Sequence, residues 1–115
     1  MDLEVIRSIC MKLPATMEDI KWGNNLVFSI GAKMYCMTDL EPPFRCSFKV
    51  KADEFESIII LPGFMAAPYL ARAHWVMVID PHVLHKEEWQ HYLAQSYELV
   101  KQKLTKKEKA SIGID

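Results

Sequence analysis

Apolar side chains near the N-terminus recur at intervals of three and four residues, the spacing that places them on one face of a helix. These residues are Leu3, Ile6, Ile9, Cys10 and Leu13. Asp2 precedes the pattern and can accept a hydrogen bond from the first turn, whereas Pro14 disfavours helical backbone at the residue before it. We therefore predict a helix over residues 3–13.

A β-hairpin is predicted next, because two short β-prone runs, residues 26–30 and 33–38, are separated only by Gly31-Ala32. Glycine at the first position of a two-residue loop suits a type II′ turn. That turn sets a register of three opposed pairs: Ile30 with Lys33, Phe28 with Tyr35, and Leu26 with Met37.

Both faces of this hairpin are largely apolar, because its second face carries Val27, Met34 and Cys36. A hairpin with one solvated side normally alternates apolar and polar residues. Two alternatives follow: the hairpin lies between two layers of the protein, or one face meets a partner chain. We favour the second, which predicts dimerisation.

The clearest alternation covers residues 44–50, where apolar and polar side chains point in opposite directions along a half-buried strand. The apolar set is Phe44, Cys46, Phe48 and Val50, and the polar set is Arg45, Ser47 and Lys49. Asp53 then caps a short helix with an apolar stripe of Phe55, Ile58 and Ile59, which Pro62-Gly63 ends.

The second half of the chain predicts two more strands and a long helix. The strands are residues 64–66 and the wholly apolar run 75–79, with a turn at Pro68-Tyr69 between them. Helical spacing covers residues 86–104, with one face made of Trp89, Leu93, Tyr97, Val100 and Leu104. The lysine-rich residues 106–115 are predicted to be a frayed, solvated tail.

The element order is therefore helix, three or four strands, helix, two strands, helix. Successive strands joined by tight turns form a mainly antiparallel sheet, so we predict an α+β fold with helices packed on that sheet. A chain of 115 residues fits one domain, assigned to residues 1–105.

Composition narrows the class further. Half of the residues are apolar, which argues against intrinsic disorder, and no apolar run approaches the length of a membrane helix. The first residues, Met1-Asp2-Leu3-Glu4, lack the features of a signal peptide, so we expect a cytoplasmic protein. The three cysteines, Cys10, Cys36 and Cys46, are odd in number, form no C-x-x-C pair, and are interpreted as small core residues.

Several local strings, in this order and spacing, resemble the MmcQ/YjbR family of small bacterial proteins. They are Phe28-Ser29-Ile30-Gly31-Ala32-Lys33-Met34-Tyr35, then Phe48-Lys49-Val50, then Pro68-Tyr69 with His74-Trp75-Val76, and finally Gln95-Ser96-Tyr97-Glu98-Leu99-Val100 with Lys103-Leu104. The resemblance implies an open antiparallel sheet flanked by helices, called YjbR-like or double-wing and compared with frataxin-like and secretion-chaperone-like architectures. It also implies DNA binding, a label that rests mainly on the wing-like hairpins.

One segment departs from the family pattern. Many relatives carry a longer polar string between the tyrosine and the tryptophan, whereas this chain has Leu70-Ala71-Arg72-Ala73-His74. If that string contacts a phosphate or another ligand in relatives, only Arg72 and His74 remain to do so here.

Nucleic-acid binding needs cations aligned along a surface, because phosphate neutralisation supplies most of the non-specific affinity. The span from residue 21 to residue 51 holds five cations and only two anions. We therefore predict a nucleic-acid site formed by Lys21, Lys33, Arg45, Lys49, Lys51, Arg72 and His74. The alternative is a solvated sheet face whose lysines oppose edge-to-edge aggregation.

The net charge of −1 conceals an uneven distribution. Residues 1–100 hold nine cations and 13 anions, while the last 15 residues hold five cations and two anions. The lysine-rich C-terminus can add phosphate contacts, although a solvated helix end is the favoured interpretation. The balance argues against a strong, general DNA binder and leaves room for a local one.

Catalytic and metal chemistry are not expected. Among His82, His85 and His91, the last two lie about 240° apart around a helix and so do not converge. Glu87 and His91 share a helix face, but two ligands are too few for zinc. The chain has no Gly-rich phosphate loop and no nucleophile elbow, so neither an enzyme nor a cofactor is predicted. A dimeric or chaperone-like protein-interaction module is the competing hypothesis, and it uses the apolar hairpin rather than the cations.

Overall fold

One antiparallel sheet organises residues 2–114, the part of the chain that the computed structural model describes. Its strands are β1 (Thr16–Lys21), β2 (Asn25–Ile30), β3 (Lys33–Asp39), β4 (Cys46–Lys49), β5 (Phe64–Ala66) and β6 (Trp75–Val78). The helices are α1 (Leu3–Met11), α2 (Ala52–Ile58), α3 (Lys86–Lys101) and α4 (Lys106–Ser111). The predicted α+β class is confirmed.

The strand order in the sheet is β1-β2-β3-β4-β6-β5, and every neighbouring pair is antiparallel. The first four strands form a meander, whereas β6 lies between β4 and the edge strand β5. The sequence pattern identified all of these strands except β1. Its sequence is mostly polar, and most of its residues are exposed because it is an edge strand.

The first hairpin has the predicted turn but not the predicted register. Gly31 takes a positive φ of 61°, and Ile30 lies opposite Lys33 as expected. A bulge at Phe28/Ser29 then shifts the pairing by one residue, so Phe28 lies opposite Cys36 rather than Tyr35. The register predicted from the turn is therefore wrong from Phe28 onward, because a bulge sets two residues of one strand against one of the other.

Helices cover one face of the sheet, which we call the helix-covered face. Helix α3 packs across β3 and β4, and α1 packs against both α3 and β1. Phe48 is fully buried there, with its ring stacked on Tyr92 at 5.4 Å and edge-on to Trp89 at 6.1 Å. The buried apolar stripe predicted for the long helix is confirmed at Trp89, Leu93, Tyr97 and Val100, whereas Leu104 is buried but follows the end of α3 at Lys101.

A buried serine fastens α3 to the sheet. The Ser96 hydroxyl donates to the carbonyl oxygen of Tyr35 at 2.5 Å and accepts from the backbone N–H of Lys49 at 2.9 Å. These two backbone groups lie next to the bulge in β3 and at the end of β4, where the regular β3–β4 pairing has stopped. One side chain thus satisfies two backbone groups that the ladder does not pair.

The C-terminal segment corrects an expectation. The prediction of a frayed tail from residue 106 was wrong for the described residues, which form α4 and continue to residue 114. Thr105 caps this helix by accepting from the backbone N–H of Glu108 at 3.0 Å, and Ile112 and Ile114 pack against the core. The two isoleucines were not recognised as core residues from the sequence, because lysines dominate the segment around them.

Among residues 2–114, no helix is both long enough and apolar enough to cross a membrane.

Candidate nucleic-acid interface

The strand directions divide the predicted cations between two opposite ends of the sheet. Lys33 begins β3 and Lys49 ends β4, so antiparallel pairing puts both at the end that carries the β2–β3 turn. We call this the hairpin end; its predicted members are Lys33, Lys49, Lys51, Arg72 and His74. Lys21 and Arg45 lie at the other end, where β1 finishes and β4 is about to begin.

The C-terminal lysines join the hairpin end. A β carbon built on Gly31 would lie 3.2 Å from the side chain of Leu104, so the last residues of the chain pack against the turn. Lys103 lies close to Lys49: burial lowers the pKa of the Lys49 ammonium, and the neighbouring charge of Lys103 lowers it further. The lysines from the last residue of α3 onward therefore belong to the same region as the predicted cations. They are Lys101, Lys103, Lys106, Lys107 and Lys109.

The individual side chains at the hairpin end differ in availability. Lys33, Lys51 and Arg72 are exposed, whereas Lys49 is half-buried and its Nζ donates to the carbonyl oxygen of Ala73 at 2.5 Å. Lys49 therefore holds the segment before β6 in place. Like charges that approach each other, as at Lys49 and Lys103, favour the binding of an anion between them.

His74 has a structural contact of its own. It takes a left-handed backbone conformation, with φ of 63°, directly after the 3₁₀ turn Ala71–Ala73. Its ring packs edge-on against Phe55 of α2 with centroids 5.6 Å apart. Because β6 begins only at Trp75, Arg72 and His74 both lie outside the strand.

At the opposite end, Arg45 is held in an ion pair. Its Nε lies 2.9 Å from Oδ2 of Asp39, and its backbone N–H donates to the same oxygen at 3.2 Å. The other carboxylate oxygen accepts from the side-chain amide of Asn25 at 3.3 Å. Lys21 lies across from Asn25 in the register and is exposed, whereas the charge of Arg45 is paired with that of Asp39.

The face of the sheet opposite the helices, which we call the open face, contains a groove of about 430 Å³. Met34 and Met37 of β3 form its floor, and residues 68–70 cross the sheet to form one wall. Trp22, in the turn between β1 and β2, lines it from another direction, and Asn25 contributes a polar group. Val27, Ser47 and Trp75 of this face are buried, so the predicted exposure of Ser47 was wrong.

Two aromatic side chains of the groove are exposed. Trp22 is 68% exposed and Tyr69 is fully exposed. Both residues take left-handed backbone conformations, with φ of 54° and 67°, which bulky residues rarely adopt. From the sequence, Tyr69 was predicted only to lie in a turn, and Trp22 was not predicted to contribute to a site. Nothing in a sequence distinguishes an aromatic loop residue that faces solvent from one that packs inward.

A second and larger cavity lies on the helical side, between α1 and α3. It measures about 490 Å³ and is lined by the exposed and half-buried side chains of these two helices, among them Lys12, Lys86 and Gln90.

The groups with potential reactivity are separated or buried. Cys10, Cys36 and Cys46 are buried free thiols, which confirms the prediction that they are core residues. The Cys36 and Cys46 sulfurs lie 3.6 Å apart, and hydrogen bonds with Cys10 and Cys46 together with burial raise the pKa of the Cys36 thiol. Within residues 2–114, no three His, Cys, Asp or Glu side chains cluster as a metal site would require.

The YjbR family model matches residues 11–99. A solved structure from Deinococcus radiodurans with a DUF419 domain superposes with a TM-score of 0.82 at 30% identity, covering 96% of this chain and 86% of that chain. A structure from Pseudomonas syringae shares the fold, with a TM-score of 0.69 at 20% identity, covering 86% of this chain and 98% of the other. Among curated proteins, none matches this chain.

Proposed function

As the chain belongs to the YjbR family, we propose that it is a non-enzymatic module that binds nucleic acid through its backbone phosphates. The observation that carries the proposal is that Lys33, Lys51 and Arg72 lie at the hairpin end of the sheet, where the segment with the C-terminal lysines packs against the β2–β3 turn. Cations concentrated on one surface attract the phosphate backbone and release its counterions, which is the main source of sequence-independent affinity.

The acidic residues around this surface limit its extent. Helix α2 starts beside Lys51 and carries Asp53, Glu54 and Glu56 in its first turns. Glu54 is occupied internally, because its carboxylate accepts from the backbone N–H of Lys51 at 3.1 Å and from the side-chain amide of Gln95. The basic surface is therefore local and bordered by anions, which favours moderate, salt-sensitive binding over a long electrostatic track.

The test is the binding of fluorescently labelled oligonucleotides, single-stranded and duplex, measured by anisotropy over a range of salt concentrations. Lys33→Glu combined with Lys103→Glu reverses two exposed charges at the hairpin end, and we expect about a tenfold or greater loss of affinity at low salt. Lys12→Glu with Lys86→Glu is the matched control, because it makes the same change in net charge on the helical side. Absence of salt-sensitive binding to any oligonucleotide at low ionic strength would overturn the proposal.

A second function, self-association or binding of a protein partner, is favoured by one observation. Met17 and Met65 extend the exposed apolar surface of the open face beyond Trp22 and Tyr69, with exposed fractions of 65% and 39%. Exposed apolar patches of this kind mark interaction sites. Light scattering across a range of protein concentrations tests self-association, and a monomer at every concentration would exclude the dimer.

A further inference from the structure

We propose that the groove of the open face takes unpaired nucleobases, so that the nucleic acid bound by this protein is single-stranded. The inference rests on the proposed function, since the phosphates of the same strand would bind the cations at the two ends of the sheet. What it adds is a class of ligand and a second set of contacting residues, Trp22 and Tyr69.

The exposure of Trp22 and Tyr69 at the groove favours base stacking. They border one groove, they expose most of their surface, and each is held by an unusual backbone conformation rather than by packing. Bases that are free of a duplex stack on such rings, and every base has a flat face, so this contact requires no sequence preference. The thioethers of Met34 and Met37 give the groove an adaptable, polarisable floor.

Cations lie at both ends of the groove. Lys21 lies at one end of the open face, and Arg72 follows the wall of the groove at the other, two residues after Leu70. Between these ends β3 runs seven residues, which at 3.3 Å per residue is roughly 20 Å. A strand of a few nucleotides laid across the groove therefore reaches positive charge at both ends while its bases face the aromatic rings.

A duplex and a protein partner fit this surface less well than a single strand does. A duplex keeps its bases stacked on each other, so it offers phosphates to the lysines and nothing to the apolar groove. A protein partner would use the apolar groove, but it gains nothing from exposed cations at both ends unless it is acidic. A flexible strand of unpaired nucleotides uses both features at once, and the Asn25 side chain at the rim supplies a group that can hydrogen-bond to a base edge.

The experiment compares a mixed-sequence single strand with the duplex of the same sequence, for the wild-type chain and for Trp22→Ala, Tyr69→Ala and the double variant. We expect the wild-type chain to prefer the single strand, and each alanine variant to lose roughly fivefold or more in affinity for it. Trp22→Phe and Tyr69→Phe keep a ring and should retain most of that affinity. Duplex binding should be unchanged in all of these variants.

Intrinsic fluorescence supplies a second measurement. Trp75 and Trp89 are 4% and 1% exposed, whereas Trp22 is open to solvent. Stacking of a base on Trp22 should quench the exposed part of the emission, and Trp22→Phe should abolish that quenching. Because both aromatic side chains are exposed, the alanine variants should unfold at the urea concentration of the wild-type chain, and each single variant remains informative if the double variant is unstable.

The outcomes separate the two proposals. Equal affinity for single strand and duplex, with no loss in the alanine variants, overturns the single-strand inference and leaves phosphate binding by the lysines intact. Failure of the Lys33→Glu and Lys103→Glu changes to weaken either ligand overturns the proposed function itself. If the aromatic variants alter self-association and not oligonucleotide binding, the groove is a protein contact and the inference is wrong.

Discussion

The two faces of the sheet are built from the same strands and differ in what covers them. On the helix-covered face Phe28, Tyr35 and Phe48 have no exposed surface. On the open face Met34 and Met37 are half-buried, and residues 68–70, rather than a layer of helices, line the groove beside them. Apolar residues on both faces of a hairpin therefore do not require a layer of helices or strands over each face.

The two alternatives raised for that hairpin are thus answered in part. A layer of α3 and α1 covers one face, and the open face is covered in its centre, where Val27 is fully buried, but not at its margins. Dimerisation through the exposed part stays a prediction. The three experiments below test how far the two faces differ, each with one residue on the covered face and a matched one on the open face.

The largest difference is expected for truncation of a large side chain. Phe48→Ala removes a fully buried ring that packs on Trp89 and Tyr92, and we expect it to lower the free energy of unfolding by about 3–5 kcal/mol. Met37→Ala on the open face should cost about 1 kcal/mol, because its side chain is already half-exposed. Urea unfolding measures both, and equal losses would contradict the distinction between the faces.

A smaller difference is expected for two serines. Ser96→Ala leaves the Tyr35 carbonyl and the Lys49 N–H, which the serine hydroxyl now satisfies, without that partner in a buried setting. We expect a loss of about 1–3 kcal/mol in the free energy of unfolding. The control is Ser29→Ala on the open face, for which we expect a change within about 0.5 kcal/mol. A loss at position 96 no greater than at position 29 would show that α3 is not fastened by this hydroxyl.

The smallest effect appears in the dependence of stability on pH. Burial, with the nearby thiol of Cys10 as a lesser cause, raises the pKa of Tyr35. The folded chain therefore keeps the Tyr35 proton while the unfolded chain loses it near pH 10, so the contribution of this group to stability is constant below that pH and falls as the pH rises above it. The fall due to one such group is at most about 1.4 kcal/mol per pH unit.

Tyr35→Phe should make this alkaline decline shallower, and urea unfolding at a series of pH values above 9 measures it. The Tyr35 hydroxyl also bonds with Thr16 at 2.8 Å, so the variant is less stable at neutral pH, and the slope rather than the absolute stability is the diagnostic quantity. Tyr69→Phe on the open face is the control. An unchanged slope in Tyr35→Phe would show that the Tyr35 hydroxyl does not set the alkaline limit.

Local pattern was enough to predict most of the elements, because capping residues, turn glycines and apolar spacing act within a few residues. Asp2 caps α1 as expected, accepting from the backbone N–H of Val5 at 3.1 Å, and Pro62-Gly63 follows α2. Strand β1 was missed, since an edge strand is defined by the neighbour that pairs with it. The bulge beside Tyr35 was missed as well, because the residues of the turn do not specify an extra residue further along β3.

The candidate site was less accessible to sequence reasoning, because its residues are distant in the chain. The antiparallel strand directions separate Lys21 and Arg45 from Lys33 and Lys51 by the length of the strands. The packing of α3 on β3 and β4 brings Lys103, which follows that helix, close to Lys49, although the two lysines are far apart in sequence. A count of cations over residues 21–51 identified candidates correctly by type, but could not indicate that they form two groups or that Asp39 neutralises one member.

The methionines of this protein are distributed unevenly between the two faces. Register places five of the seven on the open face, namely Met17, Met34, Met37, Met65 and Met77. Isotope labelling of methionine methyl groups would therefore give an NMR spectrum that reports almost entirely on this surface, with the hydrophobic core silent. Titration of a ligand into such a sample would identify its binding site from the methyl resonances that shift, without any mutation.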